Sequence, residues 1–199
     1  MYQSQYFCTC NDKNRFIVHD KLYDLKRLIE TTKTQSLKKK YRSCLTVIMQ
    51  ILYYAQGFER QDFDDLVNSA EYKKSLLLDQ IIYDLDGNEI SCDTEIVKNI
   101  TGAGIDRRIS GQRIFELRVN VADLGLGVRL FFFTTDTLGS VSGDYQCYVS
   151  IFQKNWSEVG SWNLLTSNHV KIISDVYNSF IRRPQDYQHC FEKKWRVIQ

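Results

Sequence analysis

Three short segments between Gln112 and Lys154 constrain the fold of this chain more than any other stretch. Gln112–Val119, Val128–Phe133 and Tyr148–Lys154 are rich in β-branched and aromatic residues and are bounded by Gly, Asp, Ser or Thr. Each therefore reads as a strand. The first two are separated by the Gly-containing turn Asp123–Gly127. Tight connections of this kind join antiparallel neighbours, so the three predict an antiparallel sheet. Side chains alternate with period two, which puts Ile114, Glu116 and Arg118 on one face and Phe115, Leu117 and Val119 on the other. Each segment also carries a cation, namely Arg118, Arg129 and Lys154.

Helices are expected before and after this sheet. Leu22, Leu25 and Leu28/Ile29 recur at helical spacing from Asp20 to about Glu30. After the turn Thr31–Ser36, a longer stripe of Tyr41, Leu45, Ile48, Leu52 and Ala55 predicts a second helix, with Ser36 as its cap and Gly57 at its C-terminal end. Together they predict an αα-hairpin. A last amphipathic helix, capped by Ser167 or Asn168, places Val170, Ile173, Tyr177 and Phe180 on one side and stops before Pro184, the chain's single proline. The fold class that follows is α+β: an N-terminal αα-hairpin packed on a small antiparallel sheet, plus a C-terminal helix.

Charge is unevenly distributed. Lys13–Arg42 carries a balance of +7 and Glu59–Glu95 one of −8, within a formal net charge of +2. Basic surfaces attract polyanions through counterion release and long-range steering. Within the acidic segment, Gln61–Ala70 and Glu71–Leu78 are expected to be helical, with a short strand at Ile81–Leu85 and a β-turn at Asp86-Gly87-Asn88. A calcium loop over Asp84–Glu95 is excluded, because Glu89 stands where the central glycine is required. Ile96–Ile100 is read as a helical turn.

The quoted segments, in this order, resemble the RelE/ParE superfamily of toxin–antitoxin toxins, and within it the HigB-like branch. Lys21–Arg27 is similar to the family's first helix, and Tyr41–Phe58 to its second. Gly104–Gly111 resembles the run entering the sheet. Ile114–Arg118 resembles an aromatic-Glu-Leu-Arg strand, Val128–Phe133 the arginine-bearing central strand, and Ile151–Lys154 the strand ending in lysine. The resemblance implies one domain over residues 1–199, with an acidic, mainly helical insertion at 59–95 and a C-terminal extension at 184–199. It implies a type II toxin that acts as a ribosome-dependent, metal-independent mRNA endoribonuclease, with a cognate antitoxin, the ribosome and mRNA as partners. The other reading on the same fold is a non-catalytic inhibitor or interaction module, such as a gyrase-binding toxin. The chain departs from the family in its greater length, its acidic segment, Asn155 and Glu116.

On this resemblance Arg118, Arg129 and Lys154 converge on a phosphate as catalytic residues. Arg129 stabilises charge, Lys154 binds and transfers a proton, and Arg118 fixes the geometry. Arg113, Tyr148, Trp156, Lys39 and Arg42 are the candidate RNA-binding residues, the two aromatics as base platforms. Structural alternatives stand beside each. Arg118 shares its face with Glu116 and equally forms an ion pair. Lys154 reads as a solvated strand end, Tyr148 and Trp156 as packing residues, and Lys38–Arg42 as a solvated helix start. Cations convergent on one face favour the nuclease, whereas cations each paired with an acid favour the binding module.

Other chemistries find no support in the residues. Cys8, Cys10 and His19, or His189 and Cys190, match no standard zinc spacing. No nucleophile motif accompanies the three histidines, and no phosphate-cradling glycine loop is present. No metal or other cofactor is expected. Six cysteines without a basic-then-apolar leader imply reduced thiols and a cytoplasmic protein. Leu45–Ala55 is too short to span a bilayer, so no membrane association is expected.

Overall fold

The computed structural model describes residues 3–6, 26–68, 75–100, 112–135, 144–153 and 162–187. The three expected strands form, each slightly displaced: β6 Ile114–Val121, β7 Leu126–Thr134 and β8 Tyr145–Gln153. They pair antiparallel, with Ile114 opposite Phe133 and Leu130 opposite Ile151. The turn between β6 and β7 is a short 3₁₀ segment, Ala122–Leu124, closed by Gly125 at φ +59°, a backbone region that glycine enters without a Cβ penalty.

The sheet is larger than expected. It has six strands in the order β1-β8-β7-β6-β5-β2. The added members are β1 (Gln3–Tyr6), β2 (Ser75–Leu77) and β5 (Glu95–Asn99). Five strands are antiparallel to their neighbours, and β1 joins β8 in parallel. The acidic segment is therefore not a mainly helical insertion. Among its described residues only α3, Arg60–Asn68, is helical. The physical reason lies in Leu76-Leu77-Leu78, where Leu76 and Leu78 are buried and Leu77 is exposed. Three identical residues hide that period-two alternation. Ile96–Ile100 is likewise not a helical turn, since Val97 lies opposite Leu117 in the ladder. The predicted turn at Asp86–Asn88 does form, between the two-residue strands β3 (Ile82–Tyr83) and β4 (Glu89–Ile90), with Gly87 at φ +81°. The Asp84 carboxylate accepts the backbone N–H groups of Asp86 and Asn88.

Helices cover both faces of the sheet. Residues 26–31 are helical (α1), and α2 follows at Gln35–Ala55. Val47, Ile48, Ile51 and Leu52 of α2, with Phe63 and Leu66 of α3, pack on Phe115, Leu117, Val119, Leu130 and Phe132. The α2 N-cap is Thr34 rather than Ser36, and its side chain makes no capping bond. The C-terminal end also differs from expectation. Gln56 caps in a right-handed conformation, and Gly57 donates its N–H to Tyr54 O at 2.9 Å. The Ala55 carbonyl at the helix end accepts the Phe58 N–H at 3.4 Å and Gln146 Nε2 of β8 at 2.6 Å.

The opposite face is covered by α4, Trp162–Arg182, which starts before the expected cap at Ser167 or Asn168. Val170, Ile173, Tyr177 and Phe180 do share its inner side, against Ile114, Phe131, Phe133 and Cys147. The C-terminal extension begins as a packed turn, Pro184–Tyr187, with Tyr187 edge-on to Phe180. A register shift between Phe131 and Phe132 adds a residue to β8, so that the consecutive residues Val149 and Ser150 both face α4. With layers on both sides, all nine residues of β7 are buried. None of the described helices is long and apolar enough to cross a membrane.

Phe63 tests how far the acidic segment belongs to the core. It is fully buried, 4.9 Å from the Phe115 ring and 6.0 Å from Phe132. Phe63→Ala is expected to cost about 3–5 kcal/mol in urea denaturation, the value for an aromatic removed from a core. A loss below about 1 kcal/mol, the level of a surface substitution, would show the segment to be an appendage.

Candidate functional site

Register brings two of the three nominated catalytic residues together. Arg118 of β6 lies directly opposite Arg129 of β7, on the face that also carries Glu116 and Phe131. Two guanidinium groups side by side repel each other, so the arrangement requires carboxylates close by. Glu116 supplies them. Its Oε1 lies 3.3 Å from Arg129 Nε, and its Oε2 lies 3.7 Å from Arg118 Nε.

The remaining contacts extend this pairing outward. Arg129 Nη1 donates to Asn120 Oδ1 at 2.7 Å and to the Val128 carbonyl at 2.9 Å. Asn120 in turn donates to the Asp93 carboxylate, and Asp93 N–H returns to the Asn120 carbonyl at 3.2 Å. On the other side Arg118 Nη1 lies 4.0 Å from Glu95 Oε2, which also holds Lys98 Nζ at 2.7 Å. The hydrogen bond and charge of Lys98 hold the Glu95 carboxyl below its ordinary pKa. Three cations, Lys98, Arg118 and Arg129, thus face three acids, Asp93, Glu95 and Glu116.

Burial separates the two arginines. Arg129 is only 2% exposed, whereas the Arg118 side chain keeps 22%. Burial pushes the Arg129 pKa down; Glu116 pulls it back up, and Arg118 opposes that pull. The guanidinium stays protonated at neutral pH all the same. A group so enclosed, bonded to Glu116, Asn120 and a backbone carbonyl, is a strut of the sheet. The phosphate-stabilising role expected of Arg129 needs an open, unneutralised cation, and this geometry provides neither condition.

Other nominated residues separate from this cluster. Arg113 bonds Asp64 of α3 at 2.5 Å and is largely enclosed, so it ties helix to sheet instead of facing RNA. Tyr148 is fully buried on the α2 side, its ring 5.0 Å from Phe132 and its hydroxyl donating to Gln146 at 2.9 Å. It is a packing residue, on the opposite face from Arg129. Lys39 pairs with Asp86 at the tip of the β3–β4 hairpin, and that hydrogen bond raises its pKa. Arg42 is exposed on α2. Lys154 and Trp156 lie outside the described residues.

The partners of these cations share an origin in the acidic stretch of the sequence. Asp64, Asp86, Asp93 and Glu95 all belong to the acidic segment 59–95, and they reach Arg113, Lys39, Arg129 (through Asn120) and Arg118. The only advance signal was the opposite charge balance of the two stretches. Beside this network, His169 of α4 stacks on Phe131 and its Nδ1 lies 3.2 Å from Ser150 Oγ. Ser150 is fully buried, which removes it from nucleophilic work. Burial lowers the His169 pKa, keeping the ring neutral at pH 7. Among the described residues no cluster of three or more His, Cys, Asp or Glu could hold a metal ion, and Cys44, Cys92 and Cys147 form no disulfide with one another.

Glu116→Gln is expected to destabilise the fold by roughly 3–5 kcal/mol, because it leaves buried Arg129 beside Arg118 without its carboxylate. Arg129→Met should cost less, since Glu116 then retains Arg118. Thermal or urea unfolding of the two variants checks this order, and an equal loss would mean that packing rather than charge pairing dominates the site. Comparison of the chain with protein-family models, with curated proteins and with solved structures returned no match, so the reading of this site rests on its residues alone.

Proposed function

We propose that this chain is a non-catalytic interaction module that binds nucleic acid through the basic start of α2. What carries the proposal is the contrast between two sets of cations. Those of the sheet face are closed off by carboxylates, while Lys33, Lys40 and Arg42 at the helix start stay in solvent and Lys39 beside them is paired with Asp86. Between residues 26 and 42, Lys26, Arg27, Lys33, Lys38, Lys39, Lys40 and Arg42 stand against the single acid Glu30. Lys33, Lys40 and Arg42 are exposed. Such a cluster gains affinity by releasing counterions from a polyanion. It includes Lys39 and Arg42, the two RNA-binding candidates that remain on an open surface.

Binding measured by fluorescence anisotropy across a salt series tests this directly. Lys40→Ala/Arg42→Ala is expected to lower the slope of log K against log salt by about 1.4, because each phosphate neutralised on a single strand contributes about 0.7. An unchanged slope would remove the helix start from the interface.

The RelE-like toxin reading keeps one observation in its favour, the placing of Arg118 directly opposite Arg129 on one sheet face. As an endoribonuclease the site would have to release Arg118 from Glu116 and Glu95 before meeting a phosphate. Induced expression in a bacterium, wild type against Arg118→Ala/Lys154→Ala, with mRNA 5′ ends mapped, separates the readings. The binding module predicts no new cuts. Growth arrest with new cuts, abolished in the double variant, would replace it with the nuclease and bring the ribosome and an antitoxin back as partners.

A further inference from the structure

One surface of α2 goes beyond a general attraction for polyanions. Lys39, Arg42, Thr46, Met49, Gln50 and Tyr53 recur at i, i+3, i+7, i+10, i+11 and i+14, which places them along one side of the helix. The cations stand at the N-terminal end of this stripe. At the other end a shallow groove of about 420 Å³ is lined by Leu45, Thr46, Met49, Gln50, Tyr53 and Tyr54. Tyr53 is 63% exposed, the highest value among the large apolar side chains described. Its ring is propped by the edge of Tyr54, with centroids 5.7 Å apart at 66°. The β3–β4 hairpin is tied to the same side of the helix. Gln50 donates from Nε2 to the Tyr83 carbonyl at 2.7 Å and accepts the Tyr83 N–H on Oε1 at 3.1 Å. This amide clamp anchors the hairpin and leaves the Tyr83 side chain 43% exposed.

We infer that this side of α2 is a docking track for a single-stranded nucleic acid, with a phosphate at Arg42 and a base against Tyr53. The inference rests on the nucleic-acid reading above and narrows it to unpaired strands. Arg42 and Tyr53 are eleven residues apart on one helix, about 16 Å, a span that a few extended nucleotides cover. An unpaired strand offers both of the groups that this surface accepts, a negative backbone and flat, unstacked bases. A duplex offers only the backbone, because its bases are stacked on one another. Charge complementarity likewise selects against an apolar helix as occupant, since the exposed Arg42 stands at the start of the stripe, next to the Lys39–Asp86 pair. The Gln50 amide is already bonded to the hairpin backbone, so the groove presents ring faces and methylenes to the base. Recognition by stacking of this kind tolerates any sequence.

The test uses the full chain and three fluorescent probes: a ten-nucleotide oligouridine, a ten-nucleotide oligothymidine and a ten-base-pair RNA duplex. The wild type should bind the single strands more tightly than the duplex. Tyr53→Ala should weaken single-strand binding by roughly 10-fold, in line with the loss of one stacking platform. It should leave the duplex unchanged, while Tyr53→Phe retains single-strand affinity. Equal affinity for the RNA and DNA strands is expected from stacking, and a preference for oligouridine would assign RNA as the ligand. Tyr53 is exposed, and unchanged circular dichroism would show that the variant folds. If Lys40→Ala/Arg42→Ala weakens all probes while Tyr53→Ala weakens none, the track is overturned and the polyanion reading survives. If the wild type binds no probe, both are overturned.

Discussion

Charge matching between two distant parts of the chain governs this structure. The sheet places Arg118 beside Arg129, an arrangement that is unfavourable until Glu116 stands between them and Asp93 and Glu95 close the flanks. In a buried setting the Coulomb attraction must offset the loss of hydration, and it does so only where each donor also finds a hydrogen-bond partner. Arg129 meets that condition through Asn120 and its own strand's backbone. Removal of one carboxylate leaves a cation in the interior, whereas removal of one cation leaves an acid that still has a partner. The acid is therefore the more sensitive half of the pair.

The same matching explains why the acidic segment is built into the body of the protein. Its strands β2 and β5 extend the sheet, Phe63 of α3 fills the space above Phe115 and Phe132, and its carboxylates reach cations on both faces. Asp64 holds Arg113 on the α2 side, while Glu95 approaches Arg118 on the α4 side. A stretch that looks in isolation like a solvated acidic run is instead the counter-charge of the sheet.

Much of the architecture was legible in the sequence, and the misses have definite causes. The three central strands and the inner stripe of α4 followed from periods of two and 3.6, since Phe115, Leu117 and Val119 or Val170, Ile173 and Tyr177 leave little choice. The strand at Ser75–Leu77 was hidden by three consecutive leucines, which carry no period. Glu95–Asn99 was hidden by its length, too short to distinguish a strand from a helical turn. At the candidate site, the alternation rule put Arg118 and Glu116 on one face. It could not report the burial of Arg129, because that depends on how the second face of the sheet is covered. Tyr148 left two readings, base platform or packing residue, because an aromatic on a strand has two faces to choose between; its burial against Phe132 is the packing one.

The parallel pairing of β1 with β8 has a consequence for how the molecule comes into being. Gln3 meets Tyr145, so β1 waits through the synthesis of β2 to β7 before its ladder can form. Until then β8 is unavailable, the Ala55 carbonyl lacks its Gln146 partner, and the α2 layer rests on an unfinished sheet. The local units, α2 with α3 and the β6–β7 hairpin, can assemble while synthesis continues. The β8 edge is covered by a pairing of very long sequence separation, the kind that slows folding most. Once β8 is in place its free edge awaits β1, which then becomes the edge strand of the sheet itself.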